Sequence, residues 1–330
     1  MKKIIFSFMF VCSCLFLFAS NSFAEENQID SKTIKEAQEE VFKYLKDHKM
    51  NIKVGTDEFS DFLMSIPSFD DKGEFDKDLM QAYATTYLAE MEEYYFSDKE
   101  DSVDEDKFEL SDVVLDKTIS QVKKENEKEN ETVEKDIEVK QSTSELKGDM
   151  STLSSFNRTK AKDYMKKNWD NTSSKKFKYF GGKGGDCTNY ASQVVYAGGM
   201  KLNYTGHMRP GIAKTVKGWY FAPAMPGSGE TVDHSTSWVR VVDFYSYWAG
   251  TKKHKVYSNL TAAQVSKKVS TGDVIQVYSK SSSKWFHTVV VYDVNSKGVT
   301  RYSGHSNEKL YAHLPIEFKG SNYKFRVIKF

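Results

Sequence analysis

The chain has few cysteines and prolines, and it lacks long hydrophobic runs except at its N-terminus. Five prolines and 19 glycines in 330 residues exclude collagen-like chains and Gly/Pro-rich low-complexity chains. The single apolar run excludes a membrane protein with several spans. Hydrophobic residues make up 39% of the chain and aromatic residues 14%. This content suffices for one or two ordinary cores and excludes a wholly disordered chain.

The N-terminus has the three parts of a secretory signal peptide. Lys2 and Lys3 precede an apolar run over residues 4–19, and small residues at positions 22 and 24 suit a signal peptidase. We predict cleavage after Ala24, which makes residues 1–24 a signal peptide and the mature protein secreted, either extracellular or associated with the cell wall. A membrane anchor is the alternative, but the run is shorter than the ~20 residues that a span needs. We therefore expect no membrane attachment once the signal is removed.

Cysteine usage leaves one thiol to explain. The chain has three cysteines, and two of them, Cys12 and Cys14, lie in the predicted signal peptide. Cys187 therefore has no intramolecular disulfide partner in the mature chain. A lone thiol in an oxidising compartment is open to damage. It is either a small buried hydrophobic residue or a nucleophile.

Charge is distributed very unevenly along a chain whose net charge is only +1. Residues 25–150 contain 17 lysines and 36 acidic residues, a net charge of −19. Residues 151–330 contain 28 basic and 10 acidic residues, a net charge of +18. Such a division predicts two regions with different roles. The basic half is expected to attract polyanions, and the acidic half either repels them or contacts the basic half.

The acidic half is predicted to be a small helical region followed by a linker. Apolar residues recur at helical spacing over 32–50 and 75–96. We assign 25–117 to this acidic helical region and 118–155 to a charged linker. Twelve of the twenty residues 121–140 are charged, which is typical of a solvated helix or of a disordered linker.

Residues 156–330, which make up nearly all of the basic half, are predicted to be an α+β domain in which helices precede an antiparallel sheet. Helical stripes begin at Ala161 and at Cys187, and Trp238 to Trp248 has the pattern of another amphipathic helix. After Gly272 the hydrophobic period changes to that of strands. The predicted strands cover residues 273–278, 286–293, 299–303 and 323–328.

Cys187 has the surroundings that a thiol nucleophile needs. Glycines at 181, 182, 184 and 185 precede it, and Asp186 is predicted to be the N-cap of the following helix. The helix dipole and the free N–H groups of the first turn favour a thiolate, so a thiol pKa below the usual ~8.5 is expected. The same N–H groups could face a developing oxyanion. The alternative is that Cys187 packs in the apolar stripe of its helix.

A thiolate nucleophile requires a general base, and His287 is the best-placed histidine. It opens the apolar strand that continues through Tyr292, so its position is fixed by the sheet. A purely structural histidine is the alternative. A turn at 295–298 brings the segment around His305 and Asn307 opposite His287. Either residue could orient the imidazole, and we favour His305 because it is closer to the directly opposite register.

Six segments of the basic half occur in this order: FNRTKA at 156–161, DCTNYASQ at 186–193, GG at 198–199, SW at 237–238, GDVI at 272–275 and FHT at 286–288. Together they resemble the putative amidase domain of secreted Gram-positive bacterial proteins. This family is related to the cysteine, histidine-dependent amidohydrolase/peptidase domains with a papain-like core. The resemblance covers about 156–315 and implies Cys187 as nucleophile and His287 as base. The family's H-x-N-S-like segment corresponds to His305-Ser306-Asn307, which is followed here by Glu308 instead of serine.

These observations predict a secreted cysteine amidase or peptidase with a papain-like catalytic domain. Its expected substrates are peptidoglycan peptide or muramyl-peptide amide bonds, cleaved through a thioester, and its expected polyanionic partner is peptidoglycan or another cell-wall polymer rather than nucleic acid. No cofactor is expected, because the chain has no HExxH zinc motif and no phosphate-binding glycine loop. A non-catalytic module that binds the wall or a partner, and a cysteine protease directed at proteins, remain alternatives.

Overall fold

The computed structural model describes residues 29–70, 73–96, 108–145, 156–171, 176–204, 212–222 and 233–330. The predicted signal peptide, 1–24, lies outside the described residues. The described chain is a mixed α+β protein with eleven α-helices and two sheets. Among these residues, no helix combines the length and the apolar character needed to cross a membrane.

In the described residues, five helices precede the predicted catalytic domain. Their starts follow ordinary capping rules: the hydroxyls of Thr33 and Thr56 accept backbone N–H bonds from the first turns of α1 and α2, and Glu36 completes a capping box at α1. The prediction of helices over 32–50 and 75–96 agrees with α1 and α3, whereas α2 was not predicted. These helices are α1 (Ile34–Asp47), α2 (Asp57–Ser65), α3 (Lys77–Phe96), α4 (Asp112–Leu115) and α5 (Ile119–Glu145), with a 3₁₀ turn at Ile66–Ser68.

The described part of the basic half contains six more helices. The amphipathic helix predicted over Trp238 to Trp248 is wrong as a single element, because Arg240 has extended backbone angles that separate two short helices. A π-helical turn, Ser246–Thr251, follows the second of them. The six helices are α6 (Arg158–Asn168), α7 (Asp186–Ala197), α8 (Thr236–Val239), α9 (Val241–Tyr245), α10 (Ala262–Val265) and α11 (Leu314–Glu317).

Nine strands form the two sheets. Three very short strands make a small sheet in the order β1-β3-β2, and the other six form an antiparallel sheet in the order β4-β9-β5-β6-β7-β8. The four predicted strands correspond to β5, β6, β7 and β9, and the edge strands β4 and β8 were not predicted. The strands are β1 (Ile212–Ala213), β2 (Phe221–Ala222), β3 (Asp233–Ser235), β4 (Val256–Leu260), β5 (Val274–Ser279), β6 (Lys284–Val294), β7 (Thr300–Gly304), β8 (Lys309–His313) and β9 (Tyr323–Ile328).

The large sheet is covered on both faces. Side chains alternate between faces along a strand, so Val289 and Val291 of β6 enter one core while Val290 and Tyr292 enter the other. Helix α7 packs in the second core together with Trp219, Trp238 and Trp248. Helices α1, α2 and α3 pack in the first core. The acidic helical region is therefore the layer that covers one face of the sheet.

Helix α5 runs along the basic half. Residues 121–140, for which a solvated helix and a disordered linker were both considered, lie within it. The Asn126 and Asn130 side-chain amides donate to the carbonyl oxygens of Ser282 and Ser283 at 2.8 and 2.9 Å, and Lys284 pairs with Glu129 at 2.5 Å. Further ion pairs between acidic residues of 25–150 and basic residues of 151–330 are Arg240 with Glu92 and Glu93, Lys214 with Glu93, Lys319 with Asp70 and Arg326 with Glu134.

Candidate active site

Cys187 lies in the first turn of α7, after the glycine-rich loop. The prediction that Asp186 is the N-cap is wrong: Gly185 holds that position, Asp186 is the first helical residue and Cys187 the second. The Asp186 carboxylate binds groups other than the backbone N–H groups of the first turn. One of its oxygens accepts the Phe180 backbone N–H and the Asn189 side-chain amide, both at 2.9 Å. Cys187 nevertheless remains at the amino end of the helix, where the dipole acts on it.

The polar residues of the DCTNYASQ segment anchor α7 to its neighbours. Buried polar side chains need partners, and each of these residues finds one on a different element. Thr188 contacts β6, Asn189 accepts from the Trp238 indole at 2.8 Å, Ser192 accepts from the Trp219 indole at 3.0 Å, and Gln193 accepts from the Tyr164 hydroxyl of α6 at 2.6 Å. The position of Cys187 is therefore set by hydrogen bonds on several sides of its helix.

One of these bonds joins the residues that follow the two predicted catalytic residues in the chain. Cys187 and His287 are each followed by a threonine, and the hydroxyls of Thr188 and Thr288 lie 3.0 Å apart in the buried interface between α7 and β6. The Cys187 sulfur lies 3.7 Å from the Thr188 hydroxyl. Cys187 and His287 line the same cavity. The predicted nucleophile and the predicted base therefore border one cavity.

His305, the favoured orienting residue, has other partners. Its Nδ1 lies 2.6 Å from the Asp186 carboxylate and its Nε2 lies 2.9 Å from the Asn168 carbonyl oxygen. Because both partners only accept hydrogen bonds, both ring nitrogens donate and the ring is an imidazolium. Its face stacks on Tyr190 at 4.1 Å between centroids. Neither nitrogen of His305 is directed at His287, which it was expected to orient.

The strand that carries these residues ends earlier than expected. β7 stops at Gly304, and Ser306 and Asn307 have positive φ angles of 61° and 70°. His305 and Asn307 consequently do not follow the regular strand alternation that was assumed. The Asn307 backbone N–H donates to the Asp61 carboxylate of α2 at 3.0 Å. Asn307 shares a second small cavity with His287, and the buried Nδ1 of His287 has no hydrogen-bond partner within the described part of the chain.

The electrostatics of the pair differ from the expectation. Burial, followed by the charge of Glu92, raises the pKa of the Cys187 thiol to about 12, whereas a depressed pKa was expected. Burial alone lowers the pKa of His287 to about 3. Desolvation disfavours any charged form, and here it outweighs the helix dipole. In this conformation the pair is a neutral thiol and a neutral imidazole.

The acidic helical region contributes to the burial of both residues. Cys187 is 2% exposed and His287 is 3% exposed. The cavity that they share has a volume of about 10 Å³, which holds roughly one water molecule. Its walls on the side of the basic half include the glycine-rich loop, Phe286 and Ser306. The remaining wall residues are Ser60, Asp61 and Met64 of α2 and Leu88 and Met91 of α3.

The comparisons with known proteins identify the basic half. The family model described as "Putative amidase domain" matches residues 155–328, slightly more than half of the chain. The chain belongs to this family. This confirms the resemblance that the motifs carried, and membership indicates amide hydrolysis in general terms. No curated protein and no solved structure matches the chain. Within the described residues, the amidase domain contains no group of histidine, cysteine and acidic side chains arranged to hold a metal ion.

Sequence reasoning missed three features of the site. The first is the Thr188–Thr288 contact, whose only sequence signal is the threonine that follows each catalytic candidate. The second is the pairing of Asp186 with His305 across 119 residues of chain. The third is Glu92 of α3, a buried carboxyl that accepts the Val241 backbone N–H at 3.0 Å. Burial raises the pKa of Glu92 to about 7 although Arg240 opposes the shift.

Proposed function

We propose that the protein is a secreted, cysteine-dependent amide hydrolase with a papain-like catalytic core. The observation that carries the proposal is the meeting of Cys187 and His287 in one cavity, inside a domain of an amidase family. A thiol at a helix amino end and a histidine on a central strand are the two groups that thiol hydrolysis requires. The substrates that we propose are peptidoglycan peptide or muramyl-peptide amides.

The reaction runs through a thioester. His287 takes the proton of the Cys187 thiol, and the sulfur attacks the amide carbonyl carbon. The negative charge on the carbonyl oxygen is stabilised by N–H groups at the start of α7. The C–N bond breaks as His287 passes its proton to the leaving amine. Water then attacks the thioester while His287 accepts a proton from it, and the carboxylic acid and the free thiol are released.

We assign the orienting role to Asn307 and a different role to His305. His287 needs a partner at the ring nitrogen that does not face the thiol. Asn307 lines a cavity with His287, whereas both nitrogens of His305 already donate to other groups. His305 instead neutralises the Asp186 carboxylate, whose negative charge would otherwise oppose formation of the thiolate at Cys187. The effect of Asp186 on Cys187 is to raise the thiol pKa, and it is a smaller effect than burial.

The proposed substrate and location rest on charge and on the signal segment. A net charge of +18 over residues 151–330 favours anionic polymers, and in a secreted protein the accessible ones belong to the cell wall. The thioester mechanism needs no metal or other cofactor. Peptidoglycan or an associated anionic polymer is therefore the proposed partner.

A non-catalytic wall-binding module is the second candidate, and one observation favours it. The site is buried, with a thiol pKa of about 12 and an imidazole pKa of about 3. A module that only binds would have no need of an accessible thiol. The two candidates differ in whether the thiol reacts in any conformation that the chain reaches.

The test is digestion of purified peptidoglycan, with the products identified by mass. The wild-type chain is compared with Met91→Ala, which shortens a side chain at the wall of the cavity, and with Cys187→Ser in both backgrounds. We expect new peptide ends from the cysteine forms and at least an about 10³-fold loss in the serine forms. Binding without cleavage by Met91→Ala, in a sample whose Cys187 reacts with iodoacetamide, would establish the binding module instead.

A further inference from the structure

The catalytic pair is enclosed by another part of the same chain. We call α2 and residues 88–96 of α3 the cover. Three side chains of α2 and two of α3 complete the cavity around Cys187 and His287. With about 10 Å³ of free volume, the cavity admits roughly one water molecule and no peptide. Substrate can reach the thiol only if the cover and the basic half separate locally.

The cover fits the glycine-rich loop closely. A methyl group at Gly184 would lie 2.9 Å from the Glu92 backbone nitrogen, and one at Gly182 would lie 2.1 Å from a carboxylate oxygen of Asp57. Both glycines have positive φ angles, 77° and 66°. Only glycine meets both requirements at position 184, where the contact is with backbone, whereas the Asp57 side chain near Gly182 can turn away. The loop that precedes the nucleophile is therefore matched to α2 and α3 by shape.

The cover also contacts the segment that follows β7. Asp61 of α2 accepts the Asn307 backbone N–H at 3.0 Å, and Ser306 lies in the wall of the shared cavity. The cover thus touches the loop before the nucleophile and the loop that bears the proposed orienting residue. These are the surfaces that a substrate bound across Cys187 and His287 would contact.

Helices α2 and α3 both pack in the core under the sheet, α2 through Phe59, Phe62 and Leu63. Leu79, Met80 and Tyr83 of α3 are buried in the core under the sheet, and Gln81 of α3 accepts the Tyr323 hydroxyl of β9 at 2.9 Å. Helix α2 has nine residues, and its carboxylates lie near others of like charge. Burial, followed by the charge of Glu308, raises the pKa of Asp61 to about 6. Burial, followed by Asp186, also raises the pKa of Asp57. The like charges near Asp57 and Asp61 oppose the closed arrangement, and Lys183 and the Asn307 N–H offset part of this repulsion.

We propose that the cover occupies the substrate-binding cleft of the Cys187–His287 site, and that the site is latent until α2 moves away. The proposal rests on the proposed function, because it concerns the cleft of that same site. It assigns the substrate-contacting surface to the glycine-rich loop, Phe286 and the loop at Ser306. It also explains why the pair is neutral here, since moving α2 away readmits water to both groups.

The test measures access to the Cys187 thiol in the full chain. The alkylation rate of Cys187 is followed by the mass of its peptide, in the native chain and in the urea-unfolded chain. Two reagents are used, iodoacetamide and a bulky maleimide. We expect the native thiol to react at least about 10²-fold more slowly than the unfolded one, with similar protection from both reagents, because α2 must move for either. A native thiol as reactive as the unfolded one overturns the proposal, and so does a site open to the small reagent alone.

A matched pair of variants separates local opening from general destabilisation. Met91 and Met80 are both fully buried on α3, but only Met91 lines the cavity. We expect Met91→Ala to speed alkylation about 10-fold relative to Met80→Ala, since both lose the same atoms from the same helix. Equal rates in the two variants contradict the proposal. If either variant fails to fold, the wild-type protection measurement still decides the question.

Thiol protection tests the cover, and peptidoglycan cleavage tests the hydrolase. A protected thiol that Met91→Ala exposes, without peptidoglycan cleavage by that variant, supports the cover and rejects the hydrolase. Peptidoglycan cleavage by the wild-type chain at the rate of Met91→Ala supports the hydrolase and rejects the cover.

Discussion

Replacing His305 by glutamine tests the buried ion pair beside the nucleophile. Asp186 is 1% exposed and His305 is 3% exposed, and the two are 2.6 Å apart. In His305→Gln the Asp186 carboxylate keeps its bonds from Phe180 and Asn189 but loses its counter-charge. Removing one partner of a buried pair costs about 3–5 kcal/mol, because an uncompensated charge remains. We expect a loss of that size in the free energy of unfolding, measured with urea.

The double variant Asp186→Asn/His305→Gln supplies the comparison. It removes both charges together and leaves side chains that can still form hydrogen bonds. Replacing a buried pair by neutral groups is often far less costly than breaking it. We expect the double variant to be more stable than His305→Gln by about 2 kcal/mol, within the usual range for coupled residues. Purely additive losses would show that no charge interaction couples the two residues.

The same pair predicts how stability depends on pH. Burial opposes protonation of His305, but the hydrogen bond and charge of Asp186 outweigh it and raise its pKa, and Glu308 adds to this effect. The folded chain therefore holds this proton to a higher pH than the unfolded chain does, whose histidine pKa is ~6.5. The stabilisation is complete below that pH and is lost as pH rises through the folded pKa. A wild-type chain whose stability over this range parallels that of the double variant would refute the imidazolium assignment.

Three further predictions concern the surroundings of the site. Thr188→Val and Thr288→Val should each lower the free energy of urea unfolding by about 1–3 kcal/mol, because each change takes one hydrogen-bond partner from the remaining buried hydroxyl. The double variant should lose little more than either single variant, and additive losses would contradict this. Gly184→Ala should lower the free energy of unfolding by about 2 kcal/mol or more, because it strains the backbone and brings a methyl group against Glu92. Gly199→Ala should lower it only by the strain, because Gly199 has a φ of 104° and nothing lies within 4 Å of an added methyl group. Equal losses would show that the close contact is unimportant. Binding of the full chain to purified cell walls, measured by sedimentation, should weaken as salt rises past about 0.15 M, where the Debye length is ~8 Å; salt-independent binding would rule out the electrostatic partner.

Local periodicity predicted those elements of the fold whose pattern is long and regular. Helices α3 and α7 and strands β5, β6 and β9 were found, because their apolar residues repeat over several turns or several residues of strand. The edge strands β4 and β8 were missed, since edge positions are half-exposed and their pattern is weak. The predicted helix from Trp238 to Trp248 failed because periodicity does not report the extended backbone at Arg240.

The candidate site was predictable as residues but not as an arrangement. Cys187 and His287 were identified from type and local surroundings, and the structure places both at one cavity. The pairing of His305 with Asp186 and the packing of α1, α2 and α3 on the sheet depend on contacts between distant parts of the chain. One example is the 2.6 Å hydrogen bond from Thr85 to Ser282, which lie 197 residues apart. Composition could show that the acidic region differs from the basic one, but not that it covers one face of the sheet.

If Cys187 forms a thioester with an amide substrate, an acid-quench experiment will trap it. The wild-type chain and Met91→Ala are mixed with soluble peptidoglycan fragments, quenched in acid and digested, and the mass of the Cys187 peptide is measured. We expect an adduct on Cys187 with the mass of the acyl fragment, more abundant in Met91→Ala, removed by hydroxylamine and absent in Cys187→Ser. Amide products that form without an adduct, and in equal yield from Cys187→Ser, would contradict this expectation.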